Sequence, residues 1–216
     1  MVENRVILHA YWLSSCSWRV RAMLHAKSIP FEERPVDIVK TGKQLTEEYR
    51  AINPAQKVPA LEIDGVTLVE SMAIIQYIED TRPEPKLMPD TALQRARMRE
   101  ICETIVSGIQ PLQNFGLKKH LGTEEKFLSF TKYWTERGLQ TLNDLLAKTS
   151  GAYCIGDQIT LADICLVPQI YNGVSRHKLD LKTYPIVSKV YENLLKEELF
   201  QATHPKATKE KLKINL

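Results

Sequence analysis

The segment Ala60-Leu-Glu-Ile-Asp-Gly-Val-Thr-Leu-Val69 carries the clearest local structural signal in this sequence of 216 residues. Two short apolar runs flank Asp64-Gly65, a dipeptide that tolerates the positive φ values of a tight hairpin turn. Apolar residues at helical spacing follow at once, over Glu70 to Glu79. The stretch therefore predicts a β-hairpin that leads directly into a helix.

The chain before the hairpin alternates strand and helix patterns. Val6 to Tyr11 is typical of a buried strand, and Trp18 to Ala26 supply an apolar helix. Phe31 to Ile38 predicts a second strand, and residues 42–50 predict a short helix. The first half thus has the order βαβαββα, with a parallel first crossover because such connections are nearly always right-handed.

Three prolines within Arg82 to Pro89 interrupt this pattern. Proline fixes φ and lacks an N–H donor, so this stretch resists both helix and sheet. From Thr91 onward apolar residues recur at helical spacing only. We therefore predict an α/β domain over residues 1–81, a linker over 82–90 and an all-helical domain over 91–216.

The net charge of +3 gives no argument for binding to nucleic acid or a membrane surface. No apolar run approaches the ~20 residues of a membrane helix, and the N-terminus lacks a signal-peptide pattern. The four cysteines match no zinc pattern, so no metal is expected, and reduced thiols indicate a cytoplasmic protein. The lysine-rich tail, residues 206–213, is expected to be a solvated end.

Ser14-Ser15-Cys16 lies between the first strand and the first helix. A helix N-terminus presents free N–H groups and a partial positive charge, which stabilise a thiolate. The site could therefore lower the pKa of a bound thiol or of Cys16 itself. Equally, either serine is an ordinary helix cap, a position that serine favours.

Two further pairs admit both a binding and a structural interpretation. Val58-Pro59 enters a strand, and a cis bond there would turn the Val58 backbone outward to pair with an extended peptide. A trans edge proline is the alternative. Ser71 is predicted to cap the next helix and could hold a carboxylate there, while Glu70 could pair with an ammonium.

Other polar residues in the sequence are interpreted structurally. Thr160-Leu-Ala-Asp163 fits a capping box at a helix start, which concerns folding and not catalysis. Arg19 and Arg21 fall early in the first helix and are expected at the surface or an interface.

These elements, in this order, resemble the cytosolic glutathione transferases, which join a thioredoxin-like N-terminal domain to an all-α C-terminal domain. The string Ser14-Ser-Cys-Ser-Trp-Arg-Val-Arg21 is similar to the zeta-class signature. Similarity extends over essentially the whole chain, through the segments Asn53-Pro54, Val58-Pro59, Glu70-Ser71-Met-Ala-Ile74, Gly108-Ile-Gln-Pro-Leu-Gln-Asn114 and Gly156-Asp157 to Asp163. The resemblance implies that Pro59 is cis.

The resemblance also implies a glutathione site and its residues. Ser14, Ser15 and Cys16 would surround the glutathione sulfur, with the Ser14 hydroxyl donating to the thiolate. Arg176 would bind a substrate carboxylate. The complete set of implied glutathione contacts is Ser14, Ser15, Cys16, Ser17, Trp18, Arg19, Gln44, Val58, Glu70, Ser71, Gln110, Asn114, Phe115 and Gly116.

The activity implied is glutathione-dependent isomerisation of maleylacetoacetate to fumarylacetoacetate in tyrosine and phenylalanine catabolism, by a homodimer. Transferase activity toward small α-halo acids would accompany it. The alternatives are a general detoxifying transferase, a redox enzyme that uses Cys16, and a glutathione-binding interaction module without catalysis. Two departures concern the substrate pocket: Leu13 stands where zeta members often carry arginine, and residues 115–122 are unlike the family pattern.

Overall fold

Four short strands form one mixed sheet in the computed structural model, which describes residues 5–214. The strands are β1 (Ile7–Ala10), β2 (Glu32–Pro35), β3 (Ala60–Ile63) and β4 (Val66–Val69). They lie in the order β2-β1-β3-β4, in which β1 and β2 are parallel and the other two pairs antiparallel. The chain order of the elements and the parallel β1–β2 pair confirm the predicted βαβαββα order and the parallel first crossover.

The turn between β3 and β4 has the predicted geometry. Asp64 and Gly65 both have positive φ, at 52° and 77°, and Ile63 pairs with Val66 across the turn. A two-residue turn of this kind matches the right-handed twist of the strands.

Three helices belong to the first half of the chain: α1 (Ser15–Ala26), α2 (Glu47–Ile52) and α3 (Ser71–Thr81). A 3₁₀ turn, Lys43–Leu45, precedes α2. The single helix predicted over residues 42–50 is therefore divided, because Thr46 is extended and its hydroxyl accepts from the Tyr49 N–H to begin a new helix.

The prediction that Arg19 and Arg21 lie at the surface is wrong. Both side chains are buried on α1. Arg21 donates two hydrogen bonds, of 2.9 and 2.7 Å, to the buried carboxylate of Glu33 on β2. A guanidinium that meets a carboxylate in this bidentate way can be buried because each charge is paired and hydrogen-bonded.

Helices account for the regular structure of the second half. The bounds are α4 (Ala92–Glu103), α5 (Lys118–Leu121), α6 (Glu124–Leu146), α7 (Leu161–His177) and α8 (Pro185–Leu194). Within the described residues after Thr91, β-type pairing is limited to isolated bridges near residues 150–158. The prediction of a helical second half is confirmed.

A π-helical segment, Thr104–Ile109, continues α4 and passes into a 3₁₀ turn, Gln110–Gln113. Pro111 lies in this turn, where its missing N–H is tolerated. The regular helix therefore ends before Pro111, and the irregular backbone leads into residues 114–117.

The capping box predicted at the start of α7 is present. Thr160 is the N-cap, and the Asp163 carboxylate accepts from the Thr160 N–H at 2.8 Å. The second oxygen of Asp163 accepts from the buried Cys154 N–H, also at 2.8 Å. One buried carboxylate thus joins the loop before α7 to its first turn.

The last described segment contains α9 (Glu198–Ala202) and α10 (Pro205–Lys211). The predicted solvated end, residues 206–213, has Lys206, Lys211 and Lys213 exposed, but most of it forms α10, in which Thr208 is buried. Before this helix, Thr203 accepts a 2.9 Å hydrogen bond from the Trp18 indole of α1.

The chain divides into two compact units. The first consists of the described parts of Met1–Pro85 and of Glu198–Leu216, and the second is Lys86–Glu197. Residues 1–4 and 215–216, at the ends of the predicted domains, lie outside the described residues. The predicted boundaries at residues 81 and 91 stay a prediction. No helix within residues 5–214 has the length and apolar character needed to cross a bilayer.

Candidate active site

The loop between β1 and α1 is closely tied to the first turn of the helix. Ser14 is the N-cap of α1, and its Oγ accepts from the Ser17 N–H at 3.2 Å. In return, the Ser17 Oγ accepts from the Tyr11 N–H at 3.3 Å. The first bond fixes the position of the Ser14 side chain, and the second joins Tyr11 to the first turn of the helix.

With this geometry Ser14 can both cap the helix and donate to a thiolate. As a cap, the hydroxyl uses a lone pair, so its own proton is left to donate to another group. Within the described chain, the N–H groups of Ser15 and Cys16 have no backbone acceptor, as expected for the first two residues of a helix. Two N–H donors, one hydroxyl and the positive helix end therefore form a site that favours an anion such as a thiolate.

Arg19 lies buried close to this loop. Its Nη1 donates to the Ser71 Oγ at 3.1 Å and lies 3.8 Å from the Cys16 Sγ. Its Nε and Nη2 are buried without a hydrogen-bond partner among residues 5–214. No carboxylate pairs with this guanidinium in the part of the chain that is described, so it adds an uncompensated positive charge beside the thiol.

The same arginine brings Ser71 into contact with α1. The prediction that Ser71 caps α3 is wrong: the N-cap is Glu70, and Ser71 is the first helical residue. Glu70 has φ 65°, a region that non-glycine residues rarely adopt, and its side chain is exposed. Such backbone strain occurs often at functional sites, where the surrounding structure maintains it.

The loop before β3 holds Val58. The Val58–Pro59 bond is cis, which confirms the implied geometry. The carbonyl of Lys57 accepts from both the Tyr49 hydroxyl at 2.8 Å and the Asn53 amide at 2.7 Å. Asn53 is buried and its Oδ1 also accepts from the Ala55 N–H, so three hydrogen bonds hold this loop.

Three predicted residues of the first unit have mainly internal contacts. Ser17 and Trp18 are buried on α1. The Trp18 ring also packs edge-on against the His204 ring, with 5.4 Å between the ring centroids. Gln44 lies in the 3₁₀ turn and donates to the Ile38 carbonyl at 3.4 Å. Among residues 5–214 no hydrogen bond joins Gln44 to Ser14, Ser15 or Cys16, so its place in the site stays a prediction.

The remaining predicted residues belong to the second unit. Gln110 donates to Asn114 at 2.9 Å, and both are half-buried, whereas Phe115 and Gly116 are exposed. Arg176, near the end of α7, lies over the Phe115 ring with 4.5 Å between its guanidinium carbon and the ring centroid.

The Arg176 guanidinium is half-buried and has a backbone carbonyl as its hydrogen-bond acceptor. Its Nη1 donates to the Gln113 carbonyl at 3.0 Å, and burial lowers the pKa of its guanidinium. Within residues 5–214 it makes no ion pair with a carboxylate. A half-buried guanidinium without an acidic partner is suited to bind an anionic ligand group, since its planar donors match a carboxylate.

Two residues that organise these groups were absent from the predicted site. Gln113 holds Arg176, and Asn53 holds the loop of Val58. Both lie within the segments on which the family resemblance rests, which is the signal that could have indicated them. Their roles depend on long-range contacts that periodicity does not reveal.

Comparison with known proteins agrees with this geometry. Residues 13–81 match the family described as "Glutathione S-transferase, N-terminal domain", and residues 114–202 match "Glutathione S-transferase, C-terminal domain". The "Probable maleylacetoacetate isomerase 1" of Drosophila melanogaster is 48% identical over 206 residues, covering 94% of this chain and 83% of the relative.

Two solved structures are similar over nearly their whole length. One is a bacterial zeta-class maleyl pyruvate isomerase, with TM-score 0.88, 33% identity and coverage of 93% of this chain and 97% of the other. The second is the maleylacetoacetate isomerase of Anaeromyxobacter dehalogenans with bound GSH, with TM-score 0.83, 38% identity and coverage of 94% and 96%. The chain therefore belongs to the glutathione S-transferase family of enzymes, in its zeta class.

Proposed function

We propose that this enzyme catalyses the glutathione-dependent cis–trans isomerisation of maleylacetoacetate to fumarylacetoacetate, a step of tyrosine and phenylalanine catabolism. One observation carries the proposal: the start of α1 presents the Ser14 hydroxyl together with the N–H groups of Ser15 and Cys16, which have no backbone acceptor among the described residues. The relative and the bound-GSH structure named above support the choice of substrate and of glutathione.

The residues of the first unit fit a γ-glutamyl-cysteinyl-glycine tripeptide. Ser14, Ser15 and Cys16 offer donors for its sulfur, and the Val58 backbone offers a donor and an acceptor for its peptide groups. Glu70 and the first turn of α3 suit an ammonium and a carboxylate on one carbon. These donors and acceptors match the sulfur, the peptide groups and the γ-glutamyl end of glutathione.

When bound, glutathione supplies a thiolate that adds to the substrate double bond, allows rotation about the resulting single bond and is then eliminated unchanged. The protein's task is to keep that sulfur ionised and oriented. Ser14 donates to it from a position fixed by the Ser17 N–H, so little reorganisation is needed as charge develops. Arg19, buried near Cys16, adds positive potential to the same loop.

Arg176 is proposed to bind a carboxylate of the substrate. Its contact with the Phe115 ring and the Gln113 carbonyl holds the guanidinium in place, and burial strengthens its attraction for an anion. Orientation of this kind contributes to rate because it replaces a search over many substrate poses.

A glutathione-dependent isomerase assay with maleylacetone tests the proposal. Turnover that requires glutathione supports it, and the ratio of kcat/KM for maleylacetone to that for dichloroacetate measures any accompanying activity toward α-halo acids. Glutathione binding without turnover of maleylacetone would contradict the proposal and favour a general transferase or an interaction module.

The proposal includes a homodimer in the cytoplasm, on the basis of family membership. Sedimentation equilibrium of the purified enzyme tests the dimer: a mass near 24.7 kDa at micromolar concentration would contradict it. Fractionation of the source cells, with the enzyme detected by antibody, tests the cytoplasmic location.

A further inference from the structure

Gln113 is the centre of a buried hydrogen-bond network within the second unit. Its side-chain amide donates to the Thr135 hydroxyl of α6, and its Oε1 accepts from the Gln169 Nε2 of α7 at 3.0 Å. Gln113, Thr135 and Gln169 are all buried. Buried polar groups that are hydrogen-bonded to one another are expensive to disturb, so these bonds favour one arrangement of the elements that they join.

The orientation of the Gln113 amide is determined by its neighbours. The Thr135 hydroxyl has one proton, which it donates to the Thr131 carbonyl at 2.6 Å. Towards Gln113 the hydroxyl therefore acts as an acceptor, and the Gln113 NH₂ group must face it. The Gln113 oxygen is then left for Gln169, as observed.

The segment that this amide fixes is the one that holds Arg176. The Gln113 carbonyl accepts from the Arg176 guanidinium, and the Phe115 ring lies beneath it. Gln169 and Arg176 are seven residues apart on α7, hence on the same helix face two turns apart. The turn Gln110–Gln113 is thus held to one face of α7 by two hydrogen bonds, one between the Gln113 and Gln169 side chains and one between the Gln113 carbonyl and Arg176.

We infer that Gln113 is a positioning residue for substrate selection: its side chain holds segment 113–115 so that the Arg176 guanidinium is oriented for a carboxylate-bearing substrate. Gln113 acts through Arg176 and not on the reacting atoms. The inference rests on the proposed function, because it takes Arg176 as the group that binds the substrate carboxylate.

The effect of losing these bonds should be selective. Without the Gln113 amide, the turn Gln110–Gln113 loses its side-chain hydrogen bonds to Thr135 of α6 and Gln169 of α7. The Gln113 carbonyl and the Phe115 ring, which orient Arg176, can then shift. A charge-assisted hydrogen bond depends steeply on geometry. Recognition of a carboxylate should weaken, whereas the thiolate site, built from first-unit residues, keeps its own bonds.

Gln113→Met tests the inference because methionine keeps the size and apolar stem of glutamine without its hydrogen bonds. We expect kcat/KM for maleylacetone to fall roughly tenfold, mainly through KM, since one charge-assisted contact is weakened. The KM for glutathione and the conjugation rate with the neutral electrophile 1-chloro-2,4-dinitrobenzene should stay within about twofold. The exposed Gln140→Met on α6 is the matched control and should leave every value unchanged.

Two further comparisons separate positioning from general destabilisation. In an Arg176→Ala background, Gln113→Met should add less than about twofold, because residues that act through one another are not additive. Thr135→Val should reproduce the effect of Gln113→Met, and Thr135→Ser, which keeps the hydroxyl, should restore near wild-type values. If Gln113→Met does not fold, the comparison of Thr135→Val with Thr135→Ser tests the inference in its place.

Failure of the inference can be told apart from failure of the proposed function. If wild-type enzyme isomerises maleylacetone and Gln113→Met matches the Gln140→Met control, the inference is wrong and the function stands. If wild-type enzyme does not isomerise maleylacetone, calorimetric binding of malonate in the presence of glutathione replaces the kinetic readout. Weaker malonate binding by Gln113→Met would support the inference; equal binding, or none by the wild type, would overturn it.

Discussion

Replacement of Asp163 by alanine should cost the enzyme stability and leave turnover per folded molecule close to that of the wild type. The Asp163 carboxylate is fully buried and accepts from the N–H groups of Cys154 and Thr160, each at 2.8 Å, and from the Thr160 hydroxyl at 2.9 Å. The hydroxyl can rotate toward another acceptor. The two backbone donors cannot, and both would be left buried and unsatisfied.

The magnitude follows from these two donors. Each buried unsatisfied donor costs about 1–3 kcal/mol, so the two together give about 2–6 kcal/mol. Burial raises the pKa of Asp163, although hydrogen bonds from Cys154 and Thr160 oppose the rise, so its ionised form carries a desolvation cost that alanine removes. We therefore expect the lower part of the range, about 2–4 kcal/mol of lost unfolding free energy. For a chain of this length that corresponds to a fall in Tm of roughly 4–16 °C.

Differential scanning fluorimetry with and without glutathione measures Tm, and maleylacetone turnover is measured well below the Tm of the variant. Asp144→Ala is the matched control, because Asp144 is exposed on α6 and its loss should change stability by less than about 0.5 kcal/mol. An Asp163→Ala enzyme with wild-type Tm and lost turnover would refute the assignment of this residue to folding.

Three other predictions follow from local contacts. Gly138→Ala should lower Tm, because the added Cβ would lie 2.3 Å from the buried Ile109 Cγ1. Such overpacking typically costs about 1–3 kcal/mol. Gly108→Ala is the control and should leave Tm unchanged, because its Cβ would meet open space. Burial and the charge of Lys206 lower the pKa of His204, whose Nδ1 accepts the Lys206 N–H at the start of α10. The stability that the neutral imidazole contributes is present above the ordinary histidine pKa and is lost as pH falls below it. After correction for the slower intrinsic exchange at low pH, the protection factors of the α10 amides should therefore fall between about pH 7.5 and pH 5, and unchanged protection factors would contradict this. Asn53→Ala should raise the KM for glutathione with little change in kcat, because the loop carrying Val58 loses two of its bonds; an unchanged KM in steady-state kinetics would show that the loop does not need them.

The parts of the fold that sequence reasoning could predict are those determined locally. The Asp64-Gly65 turn, the α7 capping box and the proline-rich break all depend on the conformational preferences of a few adjacent residues. Helical periodicity was sufficient for α6, where apolar residues recur over 23 residues. In each case the residues that determine the structure lie within one or two turns of one another.

Long-range pairing explains what could not be predicted. Arginines in an early helix turn are usually solvated, and only the buried carboxylate of Glu33, from the next strand, makes burial of Arg21 possible. Similarly, no local pattern indicated that the Trp18 indole would donate to Thr203, 185 residues further along the chain. A sequence pattern carries no information on which distant group will satisfy a charge or an indole N–H.

In the candidate site, too, the local features could be predicted and the long-range contacts could not. The start of α1 was predictable because a helix N-terminus and its serine cap are local features. The sequence left open whether Ser14 caps the helix or binds a thiolate, and the geometry allows both, since its oxygen accepts from Ser17 while its proton is available. The polar network around Gln113 joins three separate elements, and no local pattern indicated it.

The role of Ser14 as donor to the glutathione thiolate is tested by measuring the glutathione-dependent isomerisation of maleylacetone by the wild type and by Ser14→Ala. We expect rapid glutathione-dependent turnover by the wild type and a loss of about 10²-fold or more in kcat for Ser14→Ala, because a preorganised donor to the thiolate is removed. Thr123→Ala, which removes the side-chain cap of α6, controls for the loss of a cap alone and should keep its kcat. A Ser14→Ala enzyme with wild-type kcat, alongside an inactive Cys16→Ala enzyme, would contradict the assignment of Ser14 as the donor.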